Sequence, residues 1–186
     1  VDHAREAAEI LRTVPGAVLL VPTETVYGLI CRADDPAAVE KIYRMKHRDG
    51  TRRLGVFVSS PDQLNLIPDE KVRLLVRRHC PGALTIIARR IGGGTIGFRI
   101  PDHRFLAELL RRSGMVLAQT SANRSGMPDA RTPDEALSEL AELPDMVIDG
   151  GPIPQDARAS TVVDASGETL KILRQGNLLI PEAAAN

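Results

Sequence analysis

The sequence predicts a single α/β domain over residues 1–186, a mixed sheet covered by helices. Two observations carry that expectation. Helix-like and strand-like segments alternate almost throughout, with some strands directly consecutive and others separated by helices, which is the pattern of a mixed sheet. No internal repeat, low-complexity tract or linker divides the 186 residues, and one core can fill that length.

In chain order, Ala4 to Thr13 reads as a helix and Ala17 to Val21 as a short buried strand. Asp35 before Pro36 is an N-cap followed by proline at the first helical position, opening a helix through about Met45. Leu54 to Val58 is strand-like, and Ser60-Pro61 starts a short helix. From Pro68 to His79 the apolar Val72, Leu75 and Val76 share one helix face, and Cys80-Pro81-Gly82 ends the run. Ala83 to Ala88 is the next strand. Thr95 to Ile100 alternates cleanly, with Ile96, Phe98 and Ile100 on one face and Thr95, Gly97 and Arg99 on the other. Phe105 to Arg112 reads as a helix stopped near Gly114, followed by a strand from Met115 to Gln119. Thr132-Pro133-Asp134-Glu135 is a capping box that predicts a helix to about Leu143. Met146 to Ile148, Thr161 to Val163 and Leu170 to Leu173 read as strands, the last two joined by a turn at Ser166-Gly167.

Composition narrows the function classes. The chain is 43% hydrophobic and 26% charged, as soluble globular proteins are. Its 24 basic and 24 acidic side chains cancel, which argues against a generally polycationic nucleic-acid binder. Cys31 and Cys80 have no metal-ligand spacing, so neither a disulfide scaffold nor a structural zinc site is expected. No apolar run reaches membrane-spanning length, and a cytoplasmic protein without a membrane partner is the expectation. The chain begins at Val1 without Met, which leaves room for a trimmed leader.

Charge is uneven along the chain. Lys41 to Arg53 holds Lys41, Arg44, Lys46, Arg48, Arg52 and Arg53 against Asp49 alone, whereas Asp129 to Asp149 holds seven acids against Arg131. A basic segment beside an acidic one points to a local anionic ligand. A second basic block, Lys71, Arg73, Arg77 and Arg78, reads as a solvated helix face. Gly92-Gly93-Gly94 lacks the Lys-Ser/Thr of a phosphate loop and precedes a strand, so it reads as a hairpin connection. His3, His47, His79 and His103 are scattered without metal spacing, and no metal ligands are expected.

Four segments carry candidate chemistry. Val21 to Leu29, VPTETVYGL, runs from a strand end into hydroxyls and a glycine turn. Met45-Lys46-His47-Arg48 places cations between a helix end and a strand. Thr120-Ser121-Ala122-Asn123-Arg124-Ser125-Gly126 follows a strand, where open α/β sheets bind ligands. Leu173-Arg174-Gln175-Gly176 puts a cation at a strand end.

In this order, these segments resemble the YrdC family, the threonylcarbamoyl-AMP synthases, over nearly the whole chain. The family pairs Lys-x-Arg with a later Ser-x-Asn, and Lys46, Arg48, Ser121 and Asn123 stand in those places. SANRSG, preceded by FRIPDH, and the later STVVD and LRQG complete the likeness. The resemblance implies the short, single-domain form of a twisted α/β domain with a positively charged concave face. It implies condensation of L-threonine, bicarbonate and ATP into threonylcarbamoyl-adenylate, with pyrophosphate released and Mg²⁺ on the phosphates. A transfer complex would then modify tRNA next to the anticodon. By resemblance, Lys46, Arg48, Ser121 and Asn123 form the catalytic set, and Thr25, Arg99, Ser121 and Ser160 lie along threonine. Arg48, Arg52, Thr95, Asn123 and Arg174 hold ATP. The sequence departs from the family pattern at Asp49, Arg52 and Arg53, and at Phe57, where the family commonly has histidine. Asp129-Ala130-Arg131 replaces a usual Ser-Pro-Thr. Other readings are a non-catalytic RNA-binding module built on Lys41 to Arg53, or a paralogue with a different acceptor. A hydrogenase-maturation carbamoyltransferase would bring cysteine-rich zinc modules, which two cysteines cannot supply.

Overall fold

The structure is a computed structural model that describes residues 2–183. Nine strands form one sheet. They are β1 (Leu19–Val21), β2 (Gly28–Arg32), β3 (Gly55–Phe57), β4 (Leu84–Arg89), β5 (Thr95–Arg99), β6 (Leu117–Ser121), β7 (Met146–Val147), β8 (Thr161–Asp164) and β9 (Lys171–Arg174). Their order across the sheet is β7-β1-β2-β6-β3-β5-β4-β8-β9. The sheet is mixed as expected: β1–β7, β3–β5 and β4–β8 are parallel and the other neighbours antiparallel.

Among the described residues five α-helices flank it: α1 (His3–Thr13), α2 (Pro36–Lys46), α3 (Glu70–His79), α4 (Arg104–Ser113) and α5 (Pro133–Glu139). Asp35 caps α2 through its carboxylate, with Pro36 at the first position, as the sequence indicates. The Ser60-Pro61 signal starts a 3-10 turn, Pro61–Leu64, with its capping box intact. Helix α5 stops at Glu139, four residues short of the expected end. Thr132 accepts from Glu135 N, but the Glu135 carboxylate bonds Arg131 N rather than closing the box on Thr132. Strand β2 was hidden in the sequence, because the hydroxyl-rich turn before it made VPTETVYGL look like a loop.

Side-chain alternation divides the sheet into two unlike faces. One face packs Leu29, Cys31 and Ala118 against α2 and α5, and Val56, Phe98, Leu84 and Ile86 on the side covered by α3. The opposite face packs Ile30, Phe57 and Leu117 under α1 and α4. That layer stops short. Beyond it the strands present Gly28, Gly55, Gln119, Ser121, Thr85 and Val162 to a cleft.

Candidate active site

The cleft encloses about 420 Å³, and its floor is bare where the strands carry glycine. Gly55 and Gly97 are adjacent by the β3–β5 register, one residue before the Val56–Phe98 pair. A Cβ on Gly55 would meet Gln119 Nε2 at 2.9 Å, and one on Gly28 would meet Thr120 O at 3.1 Å. A neighbouring pocket of about 540 Å³ shares Gly55, Thr85 and Val162 with the cleft and adds Leu54, Ile87, Gly97 and Thr95.

Helix α2 delivers the first cluster. Lys46 ends the helix, and His47 takes the left-handed conformation at φ 49°, which turns the chain so that Arg48 N bonds Tyr43 O at 3.0 Å. Lys46 is only 2% exposed, and its ammonium donates to the Ser121 carbonyl, to Ser121 Oγ at 3.4 Å and to Asn123 Oδ1 at 3.3 Å. Ser121 Oγ donates to Asn123 Oδ1 at 2.5 Å, and Asn123 Nδ2 donates to Met127 O. Burial, with Arg48 and Arg52 nearby, pulls the Lys46 pKa down to about 8, against a smaller opposing effect of Asp129. Ser121 reaches the cleft surface, whereas Lys46 and Asn123 stand behind it.

Arg48 lines the cleft and has no carboxylate partner among the described residues. Its guanidinium donates to Arg52 O at 3.4 Å, Arg53 O at 3.1 Å and Thr120 Oγ1 at 3.2 Å. These neutral acceptors fix its direction and leave its charge uncancelled. Burial lowers its pKa, and Arg52 adds to that. Arg52 lines the cleft mouth, together with Asp129.

The second cluster comes from β5 and the turn after β1. Arg99 is 4% exposed, and its Nη1 donates to Thr25 Oγ1 at 3.1 Å. Glu24 forms an ion pair with Arg99 Nη2, while Arg99 Nε has no hydrogen-bond partner. Burial and nearby Arg174 lower the Arg99 pKa to about 9, and Glu24 supplies the counter-charge. The guanidinium carbon of Arg99 lies 5.6 Å from the Phe57 ring centre. Thr23 organises this turn, since its hydroxyl donates to Val26 O and accepts from Thr25 N and Val26 N.

The third cluster joins the last strands. Arg174 donates to Ser160 O at 2.9 Å and Ser160 Oγ at 3.1 Å, and Ser160 Oγ bonds Thr85 Oγ1 at 2.7 Å. A Cβ on Gly176 would overlap the backbone of Ala159, so the chain after β9 packs against the segment that carries Ser160.

Of the residues the sequence singled out, Thr25, Arg48, Arg52, Arg99, Ser121, Ser160 and Arg174 line this one cleft. Thr95 lies in the neighbouring pocket instead. Sequence reasoning missed Glu24, Thr85 and Gln119. Thr85 was readable, since it interrupts the apolar residues of β4 on the face opposite Leu84, Ile86 and Ala88. Glu24 was not, because pairing with Arg99 joins positions 75 residues apart. Among the described residues no helix is long and apolar enough to cross a membrane.

Comparison with known proteins agrees with this geometry. Residues 12–176 match the Sua5/YciO/YrdC family model, described as telomere recombination. A Bacillus subtilis protein named threonylcarbamoyl-AMP synthase is 34% identical over 93% of this chain, which spans 53% of that protein. A Mycobacterium leprae protein named putative threonylcarbamoyl-AMP synthase is 36% identical over 98% of this chain and 88% of its own length. The structure of Pyrococcus abyssi Sua5 complexed with L-threonine superposes with a TM-score of 0.84 at 31% identity, over 94% of this chain and 54% of that one. With the sheet, the cleft and the sequence match in agreement, the chain belongs to the Sua5/YciO/YrdC family.

Proposed function

We propose that this chain is a threonylcarbamoyl-AMP synthase that condenses L-threonine, bicarbonate and ATP and releases pyrophosphate. One observation carries the reading: a buried arginine with a free donor faces the same cleft as the Lys46–Ser121–Asn123 cluster. The names of its relatives support it. Arg99 and Thr25 suit the carboxylate of threonine, with Ser121 and Ser160 beside it. Arg48, Arg52 and Arg174 suit the triphosphate. The nucleoside would extend past Gly97 into the neighbouring pocket, where Thr95 lies.

The threonine amine attacks the bicarbonate carbon, and water leaves as the carbamate forms. A carbamate oxygen then attacks the α-phosphorus, and the bond to the β-phosphate bridge breaks to release pyrophosphate. Neither step needs a nucleophilic side chain. The reactants are all anionic, so catalysis rests on positioning and on cations fixed before the ligand arrives. Lys46 stands behind the cleft wall and is a positioning residue, orienting Ser121 and Asn123. Magnesium would enter with ATP as part of the substrate. Among the described residues no group of three or more His, Cys, Asp or Glu gathers at metal-binding distance, so phosphate and water would supply most ligands. In the cytoplasm, a transfer complex would carry the threonylcarbamoyl group to tRNA next to the anticodon.

The test is pyrophosphate release from ATP with bicarbonate and single amino acids. Release that requires both threonine and bicarbonate supports the synthase. ATP binding without release, whatever amino acid is added, overturns it in favour of a paralogue with another acceptor. A second reading, direct RNA contact, is favoured by Arg52, Arg53 and Arg90, which are exposed around the two pockets and have no ion pair among the described residues. It predicts affinity falling about 0.7–0.9 log units per log unit of salt for each phosphate neutralised.

A further inference from the structure

We propose that Gln119 is the specificity-determining residue that reads the side-chain hydroxyl of the amino-acid substrate. This rests on the synthase reading above and extends it to a group that reading does not use. The hydroxyls of Thr23, Thr25, Thr85, Thr120, Ser121 and Ser160 are all engaged with other protein groups. Arg48, Arg99 and Arg174 are likewise held. Among the polar side chains lining the cleft, Arg52, Gln119 and Asp129 have no hydrogen bond or ion pair within the described residues. Arg52 and Asp129 are exposed at the mouth, but Gln119 is half-buried on the floor.

Its place follows from β6. Leu117, Gln119 and Ser121 point to one face: Leu117 is covered by α1 and α4, and Ser121 belongs to the Lys46 cluster. Gln119 is therefore the first residue of the strand to emerge from under the helices. It lies between Phe57, which the register pairs with Leu117, and Ser121. The Phe57 ring beneath Arg99 offers no hydrogen-bonding group. An amino acid held by its carboxylate at Arg99, with its amine toward Ser121, would set its side chain over this part of the floor. A carboxamide has both a donor and an acceptor for a hydroxyl there. Gly55, opposite Gln119, keeps the space open, since a Cβ at that position would fall 2.9 Å from the amide nitrogen. A half-buried amide left unpaired by an isostere that lacks the hydroxyl is the basis for rejecting it.

The test compares threonine with valine, which replaces the hydroxyl by a methyl group. Binding of each to the wild-type protein and to Gln119→Leu is measured by calorimetry, alongside pyrophosphate release. The wild type should prefer threonine, and the variant should lose at least about tenfold of that preference at unchanged melting temperature. Gln119→Met, unbranched, replaces the leucine variant if that fails to fold. Gly55→Ala keeps the glutamine but displaces its amide, and should lower the preference in the same direction. An unchanged threonine-to-valine ratio in the folded variants overturns the proposal and leaves the synthase reading standing. A wild-type protein that does not distinguish the two amino acids also overturns it. No threonine binding and no release by the wild type would instead mark failure of the synthase reading itself.

Discussion

The cations of the helical exterior and those of the cleft are held in opposite ways. On the exterior, carboxylates neutralise many of them: Lys41 meets Asp145 at 3.0 Å, Lys71 meets Asp69 at 2.9 Å, and Arg78 meets Glu182 at 3.1 Å. The basic block at Lys71 to Arg78 is thus a solvated helix face, as the sequence suggested, and its cations are also paired with carboxylates. In the cleft, Arg48 and Arg174 are held by carbonyls and hydroxyls, and behind its wall Lys46 is held by a carbonyl, a hydroxyl and an amide. Both arrangements fix a side chain, but only the second leaves its charge for a ligand. Arg99, the deepest cleft cation, is the exception, because it keeps a carboxylate at its back.

That contrast can be broken most severely at the exception. Glu24→Gln removes the counter-charge of a nearly buried guanidinium and should cost about 3 kcal/mol of stability or more. Urea unfolding checks this, and an unaltered midpoint would mean that Arg99 does not depend on Glu24. Next come the neutral-acceptor cations. Arg48→Ala and Lys46→Met should each lower the rate of pyrophosphate release by about 10- to 150-fold, the worth of a charge-assisted hydrogen bond, with the circular dichroism spectrum unchanged. The same Lys46→Met protein should be at least as stable as the wild type, because burial opposes the lysine charge. Loss of stability together with activity would make Lys46 a structural residue.

The pH dependence follows with a definite sign. The Lys46 pKa is lowered from 10.5 to about 8, so the ammonium is charged below pH 8 and lost as the pH rises through that value. The kcat/KM for ATP, which reports the free enzyme, should be level near pH 7 and fall above about pH 8. Stability moves the other way: this group favours folding increasingly from about pH 8 to 10.5, because the unfolded chain binds the proton more tightly. The smallest effect belongs to the exterior. Lys41→Met should change stability by less than about 1 kcal/mol and leave activity as it is.

The sequence revealed the parts of this contrast unevenly. Alternation along β5 placed Thr95 and Arg99 on one face, and both do lie on the open side, although in adjoining pockets. The Lys-x-Arg and Ser-x-Asn spacings located residues that meet across 75 to 77 positions. What escaped was anything dependent on how side chains are held. A glutamine in a strand reads as filler until the helices above it are seen to end, and a glutamate in a hydroxyl-rich turn shows no sign of the arginine it faces. Helix α5 ended early because a capping signal fixes where a helix starts, whereas its length depends on packing beyond it.

The cleft draws on distant stretches of chain, from Thr23 to Arg174. The stretch from helix α1 to Arg48 emerges from the ribosome before the later strands and carries Thr23, Thr25, Val26, Gly28 and Arg48 of the cleft, with Lys46 behind them. Ser160, and the arginine that clasps it, arrive only with β8 and β9. A nascent chain therefore has no complete cleft until residue 174 has left the exit tunnel and β9 has docked on β8. A ligand of this cleft can select the finished fold, but cannot serve as a template on which the unfinished one assembles.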